Sequence, residues 1–233
     1  MRYSWLLFDA DGTLFDYEQA EVTALATTFA QFGYPFEARH AVTYRAINGQ
    51  MWRDFEQGKL SQQRLPTARF ERLFAATGVT ADTAVTAAFS LRYLNNLAQG
   101  TMLITGAEAL VTALRPHYRL LLITNGLHEV QRPRLARSVL AGCFDAVVIS
   151  SEVGVAKPDP AIFDVAFAHM GYPPKAETLI IGDSLTSDMR GGSDYGIDTC
   201  WFNPHAQPRP KDVTIRYEIR RLTELLDLLG VRL

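Results

Sequence analysis

Apolar and polar positions along the chain follow two different periods in two different stretches. Tyr3-Ser4-Trp5-Leu6-Leu7-Phe8 is an apolar run too short to cross a membrane, bounded by acids and a glycine, and it predicts a buried parallel-sheet strand. From about Asp16 to Gly100 the spacing turns helical. Leu25, Phe29 and Phe32 form one stripe, Leu65, Phe70, Leu73 and Phe74 a second, and Ala84, Val85, Ala88, Phe89, Leu91, Leu94 and Leu97 a third, each closed by a glycine. The block predicts four or five helices. Beyond Thr101 short apolar runs alternate with helical spacing, the signature of βαβ units on a parallel sheet.

The strands of that second stretch are expected at Arg119–Thr124, Ala146–Ser150, Thr178–Gly182 and Asp198–Phe202. Thr105 is expected to cap a helix carrying Ala109, Leu110, Ala113 and Leu114. Leu135, Val139 and Leu140 mark another, stopped by Gly142. Pro133 places its start near Arg132 or bends it, which makes Arg132, Arg134 and Arg137 a solvated face. Ser151–Pro160 reads as a loop, Pro160 opens a helix through Ile162, Phe163, Ala166 and Phe167, and Leu222, Leu225, Leu226 and Leu229 lie on a last helix. The fold class expected is α/β, with residues 1–15 and 101–233 forming the sheet domain and residues 16–100 a helical insert placed to act as a lid.

The chain has 233 residues, 48% of them hydrophobic, enough to fill a substantial core. A net charge of −2 and the lack of a long basic run argue against nucleic acid as a partner, while leaving a small phosphorylated ligand open. No signal-peptide pattern and no apolar segment of about 18 residues is present, so no membrane association is expected. The two cysteines, Cys143 and Cys200, read as reduced core thiols; the compartment expected is cytoplasmic.

Chemistry concentrates where strands end. Asp9 and Asp11 follow the first strand; Thr124, Asn125 and Gly126 follow the second; Lys157 lies in the loop after the third; Asp183 and Asp188 follow the fourth. In a parallel sheet those ends share one edge, where ligands bind. Asp9-Ala10-Asp11-Gly12 is not a calcium loop, because the sixth and twelfth positions from Asp9 hold Leu14 and Ala20 rather than Gly and Glu. Singly, each cluster is as readily a turn, a cap or a solvated lysine. Their arrival in this order at successive strand ends is what points to phosphate chemistry.

Together these residues resemble the four motifs of the haloacid-dehalogenase-like superfamily, with a Rossmann-like core and the helical block at the place of its type-one cap. Glu152-Val153-Gly154-Val155-Ala156-Lys157-Pro158, with Asn48, Trp52, Asp54, Phe55, Gly58, Arg69 and Phe70, is most similar to the bacterial pyrimidine nucleotidases of that superfamily. The resemblance implies Asp9 as nucleophile, Asp11 as acid and base, and Thr124, Asn125 and Lys157 around the phosphoryl group. It implies magnesium held by Asp9, the Asp11 carbonyl and Asp183, with Asp188 outside them. Asn48, Trp52 and Arg69 are candidates for substrate contact; equally, Trp52 is a core residue, Asn48 a turn residue and Arg69 the partner of a nearby acid such as Asp54. Asp11 argues against dehalogenation, since halide leaves without a proton. A sugar-phosphate phosphatase and a phosphosugar mutase are the alternatives to a nucleotidase.

Overall fold

The computed structural model describes residues 2–232. Six parallel strands form one sheet in the order β3-β2-β1-β4-β5-β6. They are β1 (Trp5–Phe8), β2 (Arg119–Thr124), β3 (Ala146–Ile149), β4 (Thr178–Gly182), β5 (Asp198–Phe202) and β6 (Tyr217–Ile219). The first is shorter than its apolar run: Tyr3 and Ser4 precede it, although Tyr3 is buried. The sixth was not expected, being three residues long between two arginines with a glutamate at its centre. It pairs through Cys200↔Tyr217 and Phe202↔Ile219.

Alternation along the central strands builds two cores. Leu6 and Phe8 join Leu120, Leu122, Leu179 and Ile181 on one face, against α5 (Ala107–Leu114) and α9 (Glu224–Leu229). Leu7, Leu121, Ile123 and Ile180 point the other way, onto α8 (Pro160–Met170) through Ile162, Phe163, Ala166 and Phe167. Strands buried on both faces read as continuous apolar runs, which is why their positions were legible.

Four helices follow β1: α1 (Tyr17–Gln31), α2 (Ala38–Glu56), α3 (Leu65–Thr77) and α4 (Thr83–Leu97). The chain divides into two compact units, Met1–Tyr17 with Thr101–Leu233, and Glu18–Gly100. The helical unit has an aromatic centre: the rings of Phe29, Phe70 and Phe74 lie 5.2, 5.1 and 5.0 Å from that of Phe89, all with edge-to-face geometry. Asp82 caps α4, accepting from the Val85 amide at 2.7 Å.

Three local expectations fail for local reasons. Gly106, at φ 88, occupies the N-cap of α5, and Thr105 precedes it without capping. The helix holding Pro133 is α6 (His128–Arg137), which starts four residues before Arg132; Ser151 supplies its first turn by accepting from the His128 amide at 2.7 Å. Pro133 then falls inside the helix, Val139 is exposed, and Leu140 is buried in the turn beyond it. Finally, Ser150–Val153 forms a helical turn, α7, where the end of a strand at Ser150 and a plain loop from Ser151 were expected. Among the described residues no helix is long and apolar enough to cross a membrane.

Leu7 is fully buried in the central strand. Leu7→Ala is expected to cost about 2–5 kcal/mol, read as a lower urea midpoint at unchanged denaturant slope.

Candidate active site

Because all six strands run parallel, the residues that follow β1, β2 and β4 leave the sheet on one edge, and β1 and β4 flank the point where strand order reverses. Asp9 hydrogen-bonds through its amide to the Ile181 carbonyl at 2.9 Å, continuing the pairing of β1 with β4. The chain then turns tightly: the amides of Leu14 and Phe15 both donate to the Ala10 carbonyl, at 2.9 and 2.8 Å. Gly12, at φ 81, permits that turn, and a Cβ there would lie 2.7 Å from Asp183 Oδ2. The Asp183 carboxylate is therefore packed against the Asp11–Gly12 backbone, where it also accepts from Thr13 Oγ1 at 3.1 Å.

Lys157 is wholly buried, and its ammonium has three acceptors: Asp9 Oδ1 at 2.6 Å, Asp188 Oδ1 at 2.6 Å and the Ile123 carbonyl at 2.8 Å. Its backbone is held by Asn125, whose Nδ2 donates to the Lys157 carbonyl at 2.7 Å while its Oδ1 accepts from the Lys157 amide at 2.8 Å. That side-chain clamp joins the end of β2 to the loop after β3. Thr124, the last residue of β2, is buried at 1% exposure. The other Asp188 oxygen accepts from the Ser184 amide at 3.0 Å, across the single π-helical turn Leu185–Met189. Gly182 makes this possible, because a Cβ there would collide with the Asp188 carboxylate.

Burial alone would lower the pKa of Lys157; the charges of Asp188 and Asp9 outweigh it and hold the ammonium above its ordinary value. Burial pushes the Asp9 carboxyl up, against the pull of Lys157. Desolvation, then the Asp188 charge, pushes half-buried Asp183 up to about 7. Asp9, Asp183 and Asp188 each bring an oxygen within 4.8 Å of the others. Three carboxylates around one committed ammonium leave an excess of negative charge, and hard oxygen donors of this kind suit a divalent cation such as magnesium.

The structure thus brings Asp9, Asn125, Lys157, Asp183 and Asp188 into one connected set, with Asp11 and Thr124 flanking it. It corrects the solvated face expected on α6 at one of its three arginines. Arg132 and Arg137 are exposed, but Arg134 is fully buried and its Nη2 donates to Asp11 Oδ1. Gln131, 3% exposed, donates to Asp11 Oδ2 at 2.7 Å. Spacing gave no signal for either, since an arginine-rich helix around a proline reads as polar on every side. The three substrate-contact candidates lie in the helical unit. Arg69 donates to Asn48 Oδ1 at 3.2 Å and to the Pro66 carbonyl at 3.3 Å, both side chains being buried. Asp54, in the same helical unit, accepts from Gln50 at 2.9 Å. Trp52 is half-buried, its ring 5.7 Å from that of Phe55.

Residues 3–196 match the sequence profile of the haloacid dehalogenase-like hydrolases. The chain is 36% identical over 230 residues to the HAD-hydrolase YfnB of Bacillus subtilis (strain 168), covering 99% of this chain and 97% of YfnB. The crystal structure of YfnB bound to magnesium superposes with a TM-score of 0.92, covering 99% of this chain and 100% of that one. The pyrimidine 5'-nucleotidase YjjG of Escherichia coli (strain K12) is 34% identical, over 98% of this chain and 99% of its own. The pyrimidine 5'-nucleotidase PynA of Streptococcus pneumoniae (strain ATCC BAA-255 / R6) is 37% identical, over 98% and 96%.

The raised pKa of Asp183 has a sign that calorimetry can read. Its folded value of about 7 lies above the ordinary 3.8, so its contribution to stability is complete at low pH and is lost as pH rises through about 7. In chelator the melting temperature is expected to fall between pH 5 and pH 8. Asp183→Asn should flatten that fall, and magnesium should raise the melting temperature most at the alkaline end.

Proposed function

This chain belongs to the haloacid dehalogenase-like hydrolases, and from that membership we infer that it hydrolyses phosphate monoesters by way of a phosphorylated Asp9. One observation carries the reading. A buried ammonium sits 2.6 Å from Asp9 Oδ1, at the sheet edge where ligands bind, and so aims and partly neutralises one carboxylate without consuming its second oxygen.

In the first half-reaction an Asp9 oxygen attacks phosphorus, a new P–O bond forms, and the bond to the ester oxygen breaks. Asp11 gives its proton to that leaving oxygen, so the product is an alcohol rather than an alkoxide. In the second, Asp11 takes a proton from water, the resulting hydroxyl attacks phosphorus, and the Asp9–phosphorus bond breaks. Asp9 is restored as a carboxylate, phosphate is released, and Asp11 is again protonated. The Thr124–Asn125 segment supplies donors to the phosphoryl oxygens and Lys157, its three N–H groups already bonded, adds positive charge beside them, where positioning and charge stabilisation do most of the work. Asp9, the Asp11 carbonyl and Asp183 would hold magnesium, which supplies the positive charge that lets a phosphate dianion approach this cluster of acids. Asp188, with its oxygens on Lys157 and Ser184, keeps the lysine in place.

Asp11 selects the reaction. An ester oxygen is a poor leaving group without a proton, whereas halide needs none, so a second acid fits ester hydrolysis and not dehalogenation. For the substrate, support comes from YjjG and PynA, both pyrimidine 5'-nucleotidases and both matching this chain end to end. The reading is therefore a magnesium-dependent pyrimidine nucleoside 5′-monophosphate phosphatase.

Phosphate release from a panel of nucleoside monophosphates and sugar phosphates, with magnesium and with chelator, tests it. Metal-dependent release favouring dUMP, UMP or dTMP is expected, and a preference for sugar phosphates would overturn the nucleotide reading. Asp9→Asn should lower turnover by on the order of 10⁴–10⁶-fold at unchanged fold; substantial residual activity would remove Asp9 as nucleophile.

A further inference from the structure

We propose that Gln131 and Arg134 are positioning residues for Asp11, and that Gly126 serves the same end by leaving Gln131 room to reach it.

Three hydrogen bonds close a triangle. Arg134 Nη2 donates to Asp11 Oδ1 and to Gln131 Oε1, the latter at 2.8 Å, and Gln131 Nε2 donates to Asp11 Oδ2 at 2.7 Å. Both oxygens of one carboxylate are thereby assigned to two side chains a single turn apart on α6. Asp11 itself is the more exposed member, with 27% of its side chain accessible against none for Arg134. The constraint therefore runs from the buried pair outward to the acid.

Arg134 lies with its guanidinium carbon 4.7 Å from the centroid of the Phe15 ring, and among the described residues Nε and Nη1 find no acceptor. A guanidinium placed only to pack would be a costly choice at a position that methionine could fill. Its two acceptors are Asp11 and the glutamine that also holds Asp11. Gly126, in the turn after β2, meets the other side of Gln131: a Cβ on it would stand 2.5 Å from Nε2 and 2.7 Å from Cγ. The turn between Thr124 and the start of α6 thus does two jobs, presenting Asn125 to Lys157 and clearing the path along which Gln131 reaches Asp11.

The inference rests on Asp11 being the acid that protonates the leaving oxygen. A misplaced acid harms esters of poor leaving groups most, because a good leaving group departs without its proton. The experiment is single-turnover release of leaving groups graded from 4-nitrophenol to a nucleoside 5′-hydroxyl, by the magnesium-loaded enzyme and its variants. Asp11→Asn sets the reference: it should steepen the dependence on leaving group. Gln131→Leu, Arg134→Met and Gly126→Ala should each steepen it in the same sense, losing on the order of 10²-fold on the nucleotide and far less on the aryl ester. Arg134→Lys should recover part of the loss. Wild-type slopes in the three variants, with all substrates slowed equally, would overturn the positioning role. A wild-type slope in Asp11→Asn would instead remove the acid assignment on which it rests. Gln131→Leu and Arg134→Met change different sides of the triangle, so a failure of either one to fold leaves the other to decide.

Discussion

The ammonium of Lys157 is the constraint on which the rest of the site depends. Asp9 and Asp188 both sit beside it with almost no solvent to share their charge, and without a cation between them two buried carboxylates would repel or take up protons. Several otherwise unrelated features exist to keep that cation in place. Asn125 grips its backbone from the neighbouring strand, Gly182 leaves space for the Asp188 carboxylate, and the Ser184 amide fixes the other Asp188 oxygen. The third carboxylate, Asp183, is left outside this balance, with Thr13 on one of its oxygens. The site is thus divided between charge balanced by a protein cation and charge that, among the described residues, no cation balances.

The parts visible in the sequence were those set by burial and by topology. β1, β2 and β4 were legible because a strand covered on both faces is continuously apolar, and the residues just past their ends could be placed on one edge by the parallel rule alone. Lys157 could be assigned to the same edge, but its total burial could not, since a lysine in a loop normally faces water. β6 escaped because three residues with a charged centre carry no periodicity.

Arg134 shows a different kind of illegibility. In α6 a proline sits beside charged residues, and the pattern offers no buried face to orient the helix. What orients it is polar: Arg134 and Gln131 turn inward because Asp11 waits there, 123 and 120 residues earlier in the chain. Local apolar spacing cannot encode a contact of that kind. The same holds for Arg69, drawn into the aromatic centre of the helical unit by Tyr44, Phe70 and Tyr93, with guanidinium-to-ring distances of 5.1–5.8 Å.

The register of β1 bears on how the molecule comes into being. Trp5 pairs with Arg119 on one side and Thr178 on the other, so the strand that leads into Asp9 has no neighbour until β2 has been made and lacks its second until β4 has followed. A chain leaving the ribosome exposes β1 first, and it stays unpaired while the helices of residues 18–100 can already fold from contacts close in sequence. Asp9 is among the first residues synthesised and among the last to acquire its surroundings, because Asp188 follows the second of the strands that β1 pairs with. A chain cut short before β4 therefore lacks Asp183, Asp188 and one of the two neighbours of β1, so the loss falls on the whole carboxylate cluster at once.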